Sequence, residues 1–130
     1  MDLGTLHRTF VALRGRELDN LPVSVCDQGV LGLTSWRGVY SDLAVDFGEL
    51  PTAAIERGVR YRTVSEFRDE LEEALAGKVF HGYKGGDYRM RPSTPVWASP
   101  WGEAWHNAIT GVYLGVDCIN MATINIEEYT

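Results

Sequence analysis

Thr63-Val64-Ser65-Glu66-Phe67-Arg68-Asp69-Glu70-Leu71-Glu72-Glu73-Ala74-Leu75-Ala76-Gly77 is the stretch that decides the fold class. Thr63 and Glu66 have the spacing of a capping box, in which each side chain satisfies a free backbone donor at a helix start. Val64, Phe67, Leu71, Ala74 and Leu75 recur at helical spacing and give one apolar stripe. Glu66, Asp69, Glu70, Glu72 and Glu73 form an acidic outer face that reads as solvated surface, and Gly77 is the expected stop. The spacing predicts a helix over 64–76.

Elsewhere the period changes. In Val39–Phe47, Val39, Leu43, Val45 and Phe47 share one face with Ser41, while Tyr40, Asp42 and Asp46 point the other way, the pattern of a half-buried strand. Further strands are expected at 21–25, 30–33, 78–81, 88–90, 94–98, 109–114 and 119–126, with a turn at Asp27-Gln28-Gly29 and a bulge between Met121 and Ile124. Leu3, Leu6, Phe10 and Leu13 predict a second amphipathic helix over 3–14, ended by Gly15. Residues 48–62, with Arg57, Arg60 and Arg62, read as a loop with room for a short helical turn. The expectation is an α+β fold: a mostly antiparallel sheet with two amphipathic helices packed on it, in one domain spanning 1–130.

Fourteen aromatic residues and a 45% hydrophobic share are ample for a core and exclude a disordered chain. The net charge of −6 argues against general nucleic-acid binding. Residues 78–91 depart from that average: Lys78, Lys84, Arg89 and Arg91 stand against Asp87 alone, a net +3 that leaves −9 for the remainder. A short basic island in an acidic chain suits a small anionic ligand better than a long polyanion. Cys26 and Cys118 lie far apart without CxxC spacing and the N-terminus lacks a signal-peptide pattern, so free thiols and a cytoplasmic location are expected. No apolar run reaches the roughly 20 residues that span a bilayer, and no membrane partner is expected. Homo-oligomers are compatible with this composition.

Three segments carry the candidate chemistry. In Gly82-Tyr83-Lys84-Gly85-Gly86-Asp87-Tyr88, Gly85 and Gly86 free the backbone to approach a ligand, with Lys84 inside the loop and Arg89 just after it. The same residues are good hairpin-turn chemistry, and the two readings are compatible. The GxxxxGK[ST] spacing of a phosphate loop is absent. In Ser35–Ala44, Arg37 could reach a phosphate, while Tyr40 and Asp42 pair an aromatic ring with a carboxylate, a common way to hold a base or sugar. Trp97, Trp101 and Trp105, followed by His106 and Asn107, read as an aromatic flap or as packing against the sheet. The composite expectation is that Arg37, Lys84 and Arg89 neutralise phosphate, Tyr83 or Trp97 stacks, Asp42 orients a polar edge, and Tyr40, Gly85, Gly86 and Asp87 complete the ligand-binding set.

His7, His81 and His106 form no metal pattern, and there is no GxSxG elbow, so the sequence assigns no catalytic residue, no metal site and no cofactor. A constellation of His81, His106 and Asp87 or Asp42 would have to assemble in space.

The SWRGVYSDLA run (35–44) and the FHGYKGGDYRMRPSTPVW run (80–97) resemble a group of small bacteriophage accessory proteins that pair an aromatic-Arg-Gly-x-Tyr segment with a GYKGG-aromatic-x-Met segment ending in a Val-Trp strand. The resemblance covers roughly residues 20–114. It implies a non-structural phage product acting in a bacterial host's cytoplasm, and it carries no activity with it. Sequestration of a nucleotide-like host signal, inhibition of a host protein through an aromatic surface, and action on a nucleotide-like phosphate compound are the functions it leaves in play.

Overall fold

The computed structural model describes residues 1–126. In chain order the elements are α1 (Leu3–Val11), β1 (Val23–Val25), β2 (Gln28–Ser35), β3 (Leu43–Phe47), α2 (Thr52–Glu56), α3 (Val64–Leu75), β4 (Val79–His81), β5 (Asp87–Arg89), β6 (Val96–Pro100), β7 (Asn107–Leu114) and β8 (Ile119–Asn125). Both expected helices form. Asp2 caps α1 by accepting from the Thr5 amide, and the Thr63/Glu66 capping box opens α3.

The sheet departs from the expectation. β1, β2, β3, β6, β7 and β8 form a closed six-stranded barrel, and β4 and β5 form a separate hairpin. Two seams of the barrel are parallel, β3 with β6 and β1 with β8; the other four are antiparallel. The α+β class stands, with a mixed, closed barrel in place of an open antiparallel sheet and with a third helix, α2, inside the segment expected as loop. Closure leaves fewer strand edges unpaired. A parallel seam requires a crossover connection, and the long one between β3 and β6 carries α2, α3 and the β4–β5 hairpin.

Local differences have local causes. The first hairpin turns at Cys26-Asp27, with both φ angles positive (50° and 64°), so Val25 pairs Gln28 directly and the turn lies one residue earlier than expected. Residues 36–42 form a tight connection instead of the start of β3: the Trp36 amide donates to the Asp42 carbonyl, Asp42 to the Val39 carbonyl, and the Ser35 hydroxyl to the Tyr40 carbonyl. The register slip in the last hairpin falls at Ile109/Gly111 on β7, opposite Ala122 and Thr123, so the extra residue sits on the partner of the strand whose alternation falters.

Leu43, Val45, Val96, Ala98, Ile109, Ile119 and Met121 are buried in one cluster with Val23, Val25 and Val30. Leu3, Leu6 and Phe10 of α1 and Phe67 and Leu71 of α3 belong to the same cluster, with the Phe10 ring edge-on to Phe67 at 5.0 Å between centroids. Arg68, almost fully buried, donates to the Asp19 carboxylate (2.7 Å) and the Phe10 carbonyl (3.3 Å), which pins the α1–β1 connection to α3. Both cysteines are free thiols. Among the described residues no helix is long and apolar enough to cross a membrane.

Candidate functional site

Burying Leu43, Val45 and Phe47 inside the barrel turns Ala44 and Asp46 to its outer wall, because successive side chains in a strand alternate. Register extends that wall sideways: Thr34 of β2 pairs with Ala44, and Trp97 and Ser99 of β6 pair with Ala44 and Asp46. This outer face is not solvated. Ala44 and Ser99 are buried, and Trp97 is half-buried. Trp36 lies stacked on Trp97 at 4.4 Å and 16° between planes, and His106 stands edge-on to both rings.

The wall is polar and incompletely satisfied. Five buried side-chain polar atoms lack a hydrogen-bond partner among the described residues, and four of them belong here: Thr34 Oγ1, Asp46 Oδ1, Ser99 Oγ and, through its stack on Trp97, Trp36 Nε1. Buried polar atoms are nearly always paired, by protein, water or ligand, and two of these four belong to Thr34 and Asp46, which also line a cleft over the wall. Burial pushes the Asp46 carboxyl above its ordinary value, an effect that the Gly102 amide, the Arg37 charge and the Phe47 amide only partly offset.

Over this wall lies a cleft of about 240 Å³. Thr34 and Ser35 of β2 and Asp46 of β3 form its floor; Arg37 comes from the β2–β3 connection, His81 and Tyr83 from the β4–β5 hairpin, and Trp101 and Gly102 from the loop after β6. A neighbouring hollow of about 260 Å³ shares Thr34, Ser35 and His81 and runs along β4. Ligand sites for drug-sized molecules run about 300–1,000 Å³, so the first cleft alone fits a fragment of about one base or one phosphorylated sugar.

All three segments singled out by sequence reach this cleft, the third through Trp101, and the first two touch each other at its mouth. The Arg37 guanidinium sits 3.9 Å above the Tyr83 ring, and Tyr40 packs edge-on to Tyr88 at 6.2 Å. Gly82 is required where the segments touch, since a Cβ there would meet the Gly85 carbonyl and the Tyr88 and Tyr40 rings. On the hairpin, His81 and Asp87 are cross-strand partners whose Nδ1 and Oδ1 lie 2.7 Å apart.

Other expected site residues are placed differently. Asp42 Oδ2 accepts a 3.0 Å hydrogen bond from Trp97 Nε1, so these two residues engage each other, and Trp97 spends a ring face on Trp36. Gly85 and Gly86 take positive φ (104° and 86°) as turn residues; the Gly85 amide donates to the Gly82 carbonyl and the Gly82 amide to the Gly86 carbonyl. Two amides of the expected anion cradle are therefore used by the turn itself. Lys84 and Arg89 are exposed and do not line the cleft. Asp46, Thr34 and Gly102 line it without having been singled out. The signal for Asp46 was present: it lies on the same strand parity as Asp42 and Tyr40. Thr34 had no signal of its own, since only the β2–β3 register brings it beside Asp46.

Comparison with protein-family models, curated proteins and solved structures returns no match for this chain.

Proposed function

We propose that this chain binds a small anionic, nucleotide-like ligand in the cleft between the β2–β3–β6 wall and the β4–β5 hairpin. The observation that carries the reading is the pairing of a buried, unsatisfied polar wall with a cation and aromatic rings at its mouth. A nucleotide has the complementary parts: phosphate for Arg37, a flat ring for Tyr83 or Trp101, and hydroxyl or amino groups for Thr34 and Asp46. Lys84 and Arg89 add positive potential around the mouth without touching the floor. The resemblance to bacteriophage accessory proteins supplies the context: in a host cytoplasm such a protein would sequester a nucleotide-like signal.

The test is native mass spectrometry of protein purified from bacterial cells, alone and with a panel of mononucleotides, dinucleotides and cyclic nucleotides. The expected result is a retained or added small mass that is lost in Arg37→Ala. A protein that takes up no member of the panel, with wild type and variant alike, overturns the reading.

A second reading is favoured by the exposure of Tyr83 (64%), Trp101 (47%) and Trp105 (53%), an unusual aromatic surface for a free protein. On that reading the same face blocks a host protein. A stoichiometric host chain that co-purifies and is lost in Trp101→Ala would select it over the small ligand.

A further inference from the structure

The exposed His81–Asp87 pair does little for stability. Both side chains are more than two-thirds exposed (78% and 71%), and exposed ion pairs contribute little to stability. What the contact does is fix a tautomer. A carboxylate can only accept, so Nδ1 carries a hydrogen in this contact, and in the neutral ring that leaves Nε2 as the acceptor, on a ring that lines the cleft. On the floor of the same cleft lies Asp46, whose carboxyl is pushed above its ordinary value by burial, with one oxygen unpartnered. Arg37 lines the same space. A proton acceptor oriented by a third group, a proton donor and a guanidinium around one cavity are the parts of acid–base phosphoryl transfer.

We propose that the cleft cleaves short ribonucleotide phosphodiesters by intramolecular transesterification, with His81 as general base and Asp46 as general acid. This rests on the reading of the cleft as a nucleotide-like anion site. The substrate class follows from what the residues supply and lack. Among the described residues that line the cleft, neither the Thr34 nor the Ser35 hydroxyl is hydrogen-bonded to a base, whereas a ribonucleotide 3′-phosphodiester brings its own nucleophile, the 2′-hydroxyl. The fragment-sized cleft and the acidic remainder of the chain favour dinucleotides and short oligomers over long RNA.

In the step, His81 Nε2 takes the 2′-hydroxyl proton and the 2′-oxygen forms a bond to phosphorus. The bond from phosphorus to the 5′-oxygen of the next nucleotide breaks, and Asp46 gives that oxygen its proton. The products are a 2′,3′-cyclic phosphate and a free 5′-hydroxyl. No oxidation state changes, and proton exchange with water restores the imidazole and the carboxylic acid. Arg37 neutralises the phosphoryl oxygens as charge builds, and Asp87 acts as a positioning residue through His81.

The experiment incubates the protein with ribodinucleoside monophosphates and their 2′-deoxy counterparts, follows products by mass spectrometry, and measures binding of the uncleavable deoxy forms by native mass spectrometry. Cyclic phosphate is expected from the ribo forms only. General acid–base groups contribute about 10²–10⁴-fold, so His81→Ala and Asp46→Asn should each lower the rate by about 10²-fold or more while deoxy binding persists. Asp87→Asn should shift the pH profile of the rate and reduce it less. His81 is exposed, so its variant tests chemistry free of any folding defect. Ribo forms that bind yet stay intact, or cleavage indifferent to both His81→Ala and Asp46→Asn, overturn the catalytic proposal and leave binding standing. Failure of ribo and deoxy forms alike to bind removes the binding reading and the catalysis with it.

Discussion

Trp97 Nε1 donates to Asp42 Oδ2 across 3.0 Å, and this bond ties β6 to the connection that carries Arg37. Residues 36–42 are otherwise held by local backbone bonds, by the Ser35 hydroxyl on the Tyr40 carbonyl and by the stack of Trp36 on Trp97, so the Trp97 indole is a main link between them and the barrel wall. Trp97→Phe keeps much of the stacking on Trp36 and removes only the donor. Leaving a partly buried carboxylate short of a partner costs roughly 1–3 kcal/mol, here toward the lower end because Asp42 is half-buried. Urea unfolding should show that loss, and ligand affinity should fall with it because Arg37 loses its fixed base.

Arg37→Ala tests function with little effect on folding. The side chain is exposed, and surface substitutions usually stay within about ±0.5 kcal/mol. Nucleotide affinity is expected to drop by about tenfold or more, the equivalent of one charge-assisted contact. Arg37→Lys keeps the charge but not the planar guanidinium over Tyr83, so titration calorimetry should place it between wild type and Ala.

Asp46 predicts stability gained by removing a charge. Its carboxyl titrates above the ordinary value in the folded protein because burial penalises the ionised form. The folded state therefore holds its proton more tightly than the unfolded chain, and stability falls as pH rises through the window between the two values. Asp46→Asn has no such penalty. Thermal melts should find the variant more stable than wild type at pH 7, with the gap closing as pH drops below the ordinary aspartate value. A variant less stable at pH 7 would contradict this account of Asp46.

Glu66 predicts the opposite slope. The Arg60 guanidinium and then the Thr63 amide hold its carboxyl down at about 2. A depressed carboxylate contributes stability above its unfolded value that is lost as pH falls toward the folded one. Acid unfolding between about pH 4.5 and 2 should therefore weaken α3 first. Thr63→Ala, which removes the other half of the capping box, should cost about 1 kcal/mol at neutral pH, read as a lower Tm. Arg60→Ala should move the acid transition to higher pH.

Helix α3 was legible in residues 63–77 because a capping box, an apolar stripe and a glycine stop all act within a few turns. The barrel was not, because its defining seams join Leu43 to Val96 and Val23 to Ile119, and a parallel pairing leaves no turn signal in the intervening chain. The same distinction runs through the site. Arg37 and Tyr83 stood out by composition, and the fold brings them together. Asp42 and Trp97 stood out equally, yet each is occupied by the other, a cross-strand relation that no single segment reveals. Asp46 and Thr34 matter through adjacency in register, which alternation hints at only for Asp46.

The crossover from β3 to β6 leaves and re-enters the barrel at neighbouring strands, so the cleft's lid is a loop fastened at both ends to the cleft's own floor. Its hairpin half and its helical half share one length of chain. A ligand that draws Tyr83 and His81 inward must therefore be felt by α3 and by the β3–β6 seam. Amide hydrogen exchange should register occupancy as slowed exchange along Leu43–Phe47 and Val96–Pro100, on strands whose inner side chains never touch the ligand.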